Sequence, residues 1–351
     1  MRELRPWIRL LFTRQWRLWA AASLMLATLL SGVGLLSLSG WFITATAVTA
    51  MAWAAGMAAT LDVYIPGGGI RFFALTRTVS RYFERLYNHD TVLRLLADLR
   101  VTLFRALSQL DGQTQSRYRA AQWLNRLTRD IDTLDNLFLR LLAPPAVALL
   151  GALAVSLLIG LFLLPAGILL FLLLLGVLCF ATAGMALWGR QLSGKQVLST
   201  DHVRSRAIEQ MQGLAELSAW RVLAAHQRDL LTLETERSND RFRLDCRSAC
   251  GQATVQAGVQ IGVLVVLVMA VGAYQQQVLN GPLMVMMPLA VLALNEGFAG
   301  LPAAFIHWGS TEASARRLNE QRDLRSILPS PSNPQPIPPA ASIQYQNVVV
   351  R

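Results

Sequence analysis

The strongest constraint on this chain is a set of residues it leaves out. Residues 18–61, 141–189 and 248–295 contain no Asp, Glu, Lys, Arg or His. A transmembrane helix needs about 20 apolar residues, so each stretch is long enough to cross a bilayer twice. With 54% apolar and 15% charged residues and a mean hydropathy of +0.41, the chain is too apolar for an ordinary soluble domain. The sequence therefore predicts an all-α membrane protein with six transmembrane helices and long cytosolic helical extensions.

The formal charge of +11 does not point to nucleic acid. All 32 Lys and Arg residues fall within 1–17, 62–140, 190–247 and 312–351. Cations withheld from the short loops of one side are a positive-inside pattern. Both termini are thus expected in the cytoplasm and no nucleic-acid partner is expected. Residues 1–17 interleave five arginines with Trp7 and Trp16, the composition of an interfacial helix. The apolar run that follows is too long for a cleavable signal and is expected to stay as the first span.

Two dispositions of residues 18–61 remain open, both with the same sidedness. One is a tight hairpin; the other is a single long helix whose return partner starts in the fifties and passes Gly67, Gly68 and Gly69. The third and fourth spans are expected at 141–164 and 167–188, joined at Pro165. The fifth and sixth are expected at 253–273 and 283–306. Residues 81–140 and 190–247 read as helical excursions, because leucines recur every three or four positions amid charges. Six prolines without charge in 329–341 mark a semi-rigid linker. Residues 342–351 (SIQYQNVVVR) read as a strand, expected to be the first of a nucleotide-binding domain.

Within this frame the stretch TRTVSRYFERLYNHD at 76–90 stands out. Arg77, Arg81, Arg85 and His89 recur every four residues, so a helix stacks them as one stripe drifting about 40° per step. Two readings compete. Either the helix has left the membrane and the stripe is a solvated face neutralised by Glu84 and Asp90, or it is an anion site at the mouth of a cavity. In the sixth span Glu296 is expected near mid-membrane, with His307 three turns on along the same helical face. Acids in a bilayer usually face a cavity or a partner, so Glu296 joins Arg77 as a candidate substrate-cavity residue.

Other motifs carry less. GRQLSGKQ at 189–196 approaches a phosphate-binding loop, but Gln196 stands where a Ser or Thr hydroxyl must hold Mg²⁺, and an apolar helix precedes it. No local catalytic set is present. Cys246 and Cys250 are spaced C-x3-C without a histidine at ligand spacing, so no metal site is expected and free thiols are.

The local words LSGWF at 38–42, 76–90 as quoted, LNRLTRDIDTLDNLFLR at 124–140, GLAELSAW at 213–220 and AFIHWG at 304–309 resemble the CydC subunits of CydDC exporters. These are ABC exporters needed to assemble cytochrome bd. The resemblance implies a heterodimer with a CydD-like homologous subunit in the bacterial inner membrane. It also implies ATP-driven export of cysteine and glutathione to the periplasm, with ATP and Mg on a nucleotide-binding domain. It further implies a b-type haem in the membrane region and excursion tips, near 113–125 and 210–220, that touch the ATPase domains. The haem expectation and the basic stripe meet on the same residues. His89 and His307 are candidate axial ligands, and Arg81 and Arg85 could hold the propionates. Two alternatives stay open: a transporter of haem itself, and a membrane haem protein without a transport role.

Overall fold

The structure of the chain, a computed structural model, describes residues 6, 15–108, 110, 112 and 137–322. Most of the interfacial segment 1–17, the tip near 113–125, most of the word 124–140, the linker 329–341 and the strand 342–351 lie outside the described residues. Every regular element among those described is helical.

Helix α1 spans Gln15–Ala54 and α2 spans Tyr64–Ser108. The uncharged stretch 18–61 therefore crosses once and not twice, and the return helix starts in the sixties. The cause is that the glycines inside α1 make helix contacts and no turn. A Cβ on Gly34 would sit 2.7 Å from the Phe73 ring, and one on Gly40 would strike Leu289. The turn comes at Gly56, whose φ of +76° is open to glycine at no steric cost. Asp62 Oδ1 then accepts from the Tyr64 N–H at 2.8 Å and starts α2.

A π-helical turn, Leu137–Leu142, leads into α3, Ala143–Gly160. The next helix, α4, spans Leu164–Cys179, so the reversal falls on residues 161–163, earlier than expected. Pro165 sits in the first turn of α4, where its missing N–H costs nothing. A second π-helical turn, Phe180–Gly184, carries the chain into α5, Met185–Gln212, and the tip holds the short α6, Leu214–Ala219. The phosphate-loop-like word 189–196 is continuous helix within α5. Helix α7 runs unbroken through Leu223–Gln275, 53 residues without a proline.

The sixth span is segmented into α8 (Gly281–Ala293), α9 (Asn295–Phe298) and α10 (Leu301–Phe305), followed by α11 (Trp308–Arg322). The break at 299–300 falls beside Gly297, Gly300 and Pro302, which weaken the helical ladder. Five described helical stretches are long and apolar enough to cross a membrane. The sixth crossing is α2, which packs along α1 but is too rich in arginine to look apolar.

Helix α1 lies between α2, α8 and α3, while α7 packs on α8, α5 and α4. Leu29, Val33, Val147, Leu294 and Phe298 join one buried cluster among these helices. The side chains of Leu157, Leu172 and Val268 point outward and stay exposed, as a lipid-facing surface requires. Toward the charged ends, Arg190 bonds both oxygens of Glu312 at 2.8 Å, Lys195 pairs with Asp240 at 2.8 Å, and Arg317 pairs with Asp201. These contacts tie α5 to α7 and α11. Cys179, Cys246 and Cys250 are free thiols.

Candidate functional site

The register between α1 and α2 fixes the depth of the basic stripe. Arg77 lies on Gly32, where a Cβ would be 3.5 Å from its Nη1. The Thr28 hydroxyl donates to Glu84 Oε2 at 3.3 Å, and Arg17 pairs with Asp90. Numbers fall along α1 as they rise along α2, so the helices are antiparallel. Gly32 lies 14 residues into the uncharged stretch that starts at Leu18, about 21 Å along the helix axis. Arg77 therefore sits at membrane level, and the stripe descends from there to the level of Arg17.

An arginine at that depth costs roughly 2.5 to 3.5 kcal/mol even on mild scales, so it needs an acid. Glu296 supplies one. Arg77 Nη2 donates to its Oε2 at 2.6 Å, and Arg81 Nη2 lies 2.9 Å from its Oε1. The four-residue α9 carries Glu296 between two helix breaks, which turn the carboxylate toward α2. One carboxylate thus serves two guanidinium groups.

These groups border a cavity of about 300 Å³ walled by α1, α2, α3 and α9. Thr28, Arg81, Glu84, Arg85, Val147 and Glu296 line it, and Arg77 reaches Glu296 from its edge. Its volume is at the small end of the range for ligand pockets. Arg85 and Glu84 form no ion pair among the described residues. The cavity offers positive and negative groups close together, and charge-assisted hydrogen bonds from such groups to a polar solute are stronger than neutral ones.

The expected residues divide between places. Arg77, Arg81, Arg85 and Glu296 come together. His89 is exposed on α2, one turn beyond Arg85, and does not line the cavity. His307 lines a second cavity of about 210 Å³, with Thr200, Asp201, Arg237, Arg241 and Ser310. The expectation that Glu296 and His307 share one helical face is corrected: the breaks after α9 and α10 interrupt that face. A haem needs an imidazole at its iron and cations at its propionates in one place. Neither of these two cavities gathers His89, His307, Arg81 and Arg85 together, and Arg81 is paired with Glu296.

Sequence reasoning missed Thr28, and it named Glu84 only as a neutralising group in one of two competing readings of the stripe. Thr28 was detectable in principle as a hydroxyl inside an otherwise apolar run.

Six crossings and a charged cavity between the first, second, third and sixth of them define the membrane domain of a transporter. Residues 21–221 match the ABC transporter transmembrane region, and the chain belongs to that family. It is 32% identical over 359 residues to the glutathione/L-cysteine transport system ATP-binding/permease protein CydC of Escherichia coli (strain K12), covering 99% of this chain and 60% of that protein. It is 32% identical over 329 residues to the protein of the same name from Haemophilus influenzae, covering 93% of this chain and 56% of that one. The corresponding CydD protein of Bacillus subtilis is 27% identical over 282 residues, covering 78% of this chain and 47% of its own length. The chain thus spans well under two thirds of the length of the curated relatives it matches.

Proposed function

We propose that this chain is the membrane half of an ATP-driven exporter that moves glutathione and cysteine from cytoplasm to periplasm and so supports cytochrome bd assembly. In this reading it works in the bacterial inner membrane beside a CydD-like subunit, with both termini in the cytoplasm. ATP and Mg bind a nucleotide-binding domain that follows the linker at 329–341. The observation that carries the reading is the cavity holding Arg81, Arg85, Glu84 and Glu296, with Arg77 at its edge. Small thiol metabolites carry carboxylates, and a carboxylate at membrane level needs fixed cations. The names of the relatives give the reading its substrates.

The mechanism asks little covalent chemistry of these residues. Arg85 holds a substrate carboxylate, Arg77 and Arg81 exchange part of their bonding from Glu296 to the substrate, and the segmented sixth span lets Glu296 yield. Inside-out vesicles carrying the complete transporter test this: ATP should drive uptake of labelled glutathione, and Arg85→Ala or Arg81→Ala should cut it at least about tenfold. Unchanged uptake in both variants would overturn the assignment of the cavity.

Haem b at Arg81, Arg85, His89 and His307 is a separate proposal whose support is the resemblance alone. The absorbance spectrum of purified His89→Ala and His307→Ala protein tests it, and an unchanged spectrum in both removes these residues from any haem site.

A further inference from the structure

The cavity carries an asymmetry that general anion binding does not need. Glu296 is engaged by Arg77 and Arg81 at 2.6 and 2.9 Å. Glu84 and Arg85 face the same space without forming an ion pair; Glu84 accepts from the Thr28 hydroxyl and feels the charges of Arg81, Arg85 and Glu296. Neighbouring helix residues point about 100° apart. Both can line one cavity because α1, α3 and α9 wrap it around that part of α2. An acid and a base are thus presented side by side at membrane level.

We propose that Glu84 and Arg85 read the α-amino acid head of the substrate, Glu84 taking the ammonium and Arg85 the carboxylate on the same carbon. A simple carboxylate does not need Glu84, which would repel it. An acid held next to a cation is matched by a ligand with its own cation beside its carboxylate. Counting charges sharpens the point. Three arginines and two glutamates at the cavity give 3 − 2 = +1. A γ-glutamyl tripeptide such as glutathione carries two carboxylates and one ammonium, a net −1, and neutralises the site. Free cysteine carries one of each and leaves a net positive charge. Because charge complementarity favours a ligand that balances the site over one that leaves it positive, the cavity favours the tripeptide, whose second carboxylate falls to Arg77 and Arg81.

This inference rests on the substrate reading proposed above, and the test separates the two. The complete transporter in lipid nanodiscs is titrated with glutathione, glutathione acetylated on its amine, and cysteine. Acetylation should weaken binding about ten- to a hundredfold, the usual range for removing a charged hydrogen-bond partner. In Glu84→Gln protein the gap between the two tripeptides should narrow to about threefold or less, by the same conversion. Cysteine should bind more weakly than glutathione in the wild type. If glutathione binds and its acetylated form binds equally well, the head-group assignment falls while the exporter reading stands. If glutathione does not bind, both fall. The wild-type comparison needs no variant, so a misfolded Glu84→Gln protein does not blunt the test.

Discussion

Arg77 and Glu296, 219 positions apart in sequence, meet at 2.6 Å between α2 and α9. This single contact joins the second crossing to the middle of the sixth, and it explains how a row of arginines is tolerated beside apolar helices. Removing the acid leaves two guanidinium groups to share the loss. Glu296→Ala should lower stability by about 1–2 kcal/mol, below the 3–5 typical of a broken buried pair. The discount reflects a Glu296 side chain that is 37% exposed. Thermal unfolding in detergent checks this, and Arg77→Gln combined with Glu296→Gln should recover part of the loss. Full additivity of the two substitutions would argue against the pairing.

Close helix packing gives a second expectation, which ranks two glycines. A Cβ at Gly167 would lie 2.6 Å from Gly160 Cα and 2.5 Å from the Ser156 carbonyl, so two backbones would have to part. At Gly34 the obstacle is the Phe73 ring, which can turn. Gly167→Ala should therefore cost about 1–3 kcal/mol and more than Gly34→Ala. The melting temperatures of the two variants decide the order.

Much of this architecture was readable from charge alone, because a bilayer rejects charge and so marks its own boundaries along the chain. Which groups would be neighbours was not. The arginine spacing showed that Arg77, Arg81 and Arg85 share a face, but nothing local tied that face to Glu296. Hydropathy also treated residues 18–61 as room for two crossings, since it does not sense that Gly34 and Gly40 are contact points. The arginines in turn hid α2 from any test of apolarity, although it crosses beside α1. The helical face drawn through Glu296 and His307 failed for a related reason: an ideal helix was assumed across Gly297, Gly300 and Pro302.

The tie between α5 and α11 should respond to acid. Hydrogen bonding from the Arg190 guanidinium is the main cause holding the Glu312 carboxyl below its usual range. A lowered folded-state pKa contributes stability above the unfolded value, about 4.3 for Glu, and that contribution is lost as pH falls through the folded value. Glu312→Gln should thus lower the melting temperature at pH 7, and the gap from wild type should close below about pH 4. A gap that persists in acid would assign the effect to something other than charge.

Sidedness follows from the proposed orientation. A cysteine placed at Gln276, between α7 and α8, should react with an impermeant maleimide added outside the cell. Cys246, exposed on the charged part of α7, and Cys250, exposed about one turn further on, should react only after the membrane is opened. Labelling of position 276 from the cytoplasm alone would invert the topology.

The unbroken α7 has a mechanical consequence. Its 53 residues form a rod about 80 Å long, and it carries no proline to kink it sharply. Tilting such a rod by about 5° carries its far end sideways by about 7 Å, more than one helical pitch. A displacement too small to rearrange packing where α7 meets α8 becomes, at the tip formed by α6, a stroke wide enough to move a whole domain.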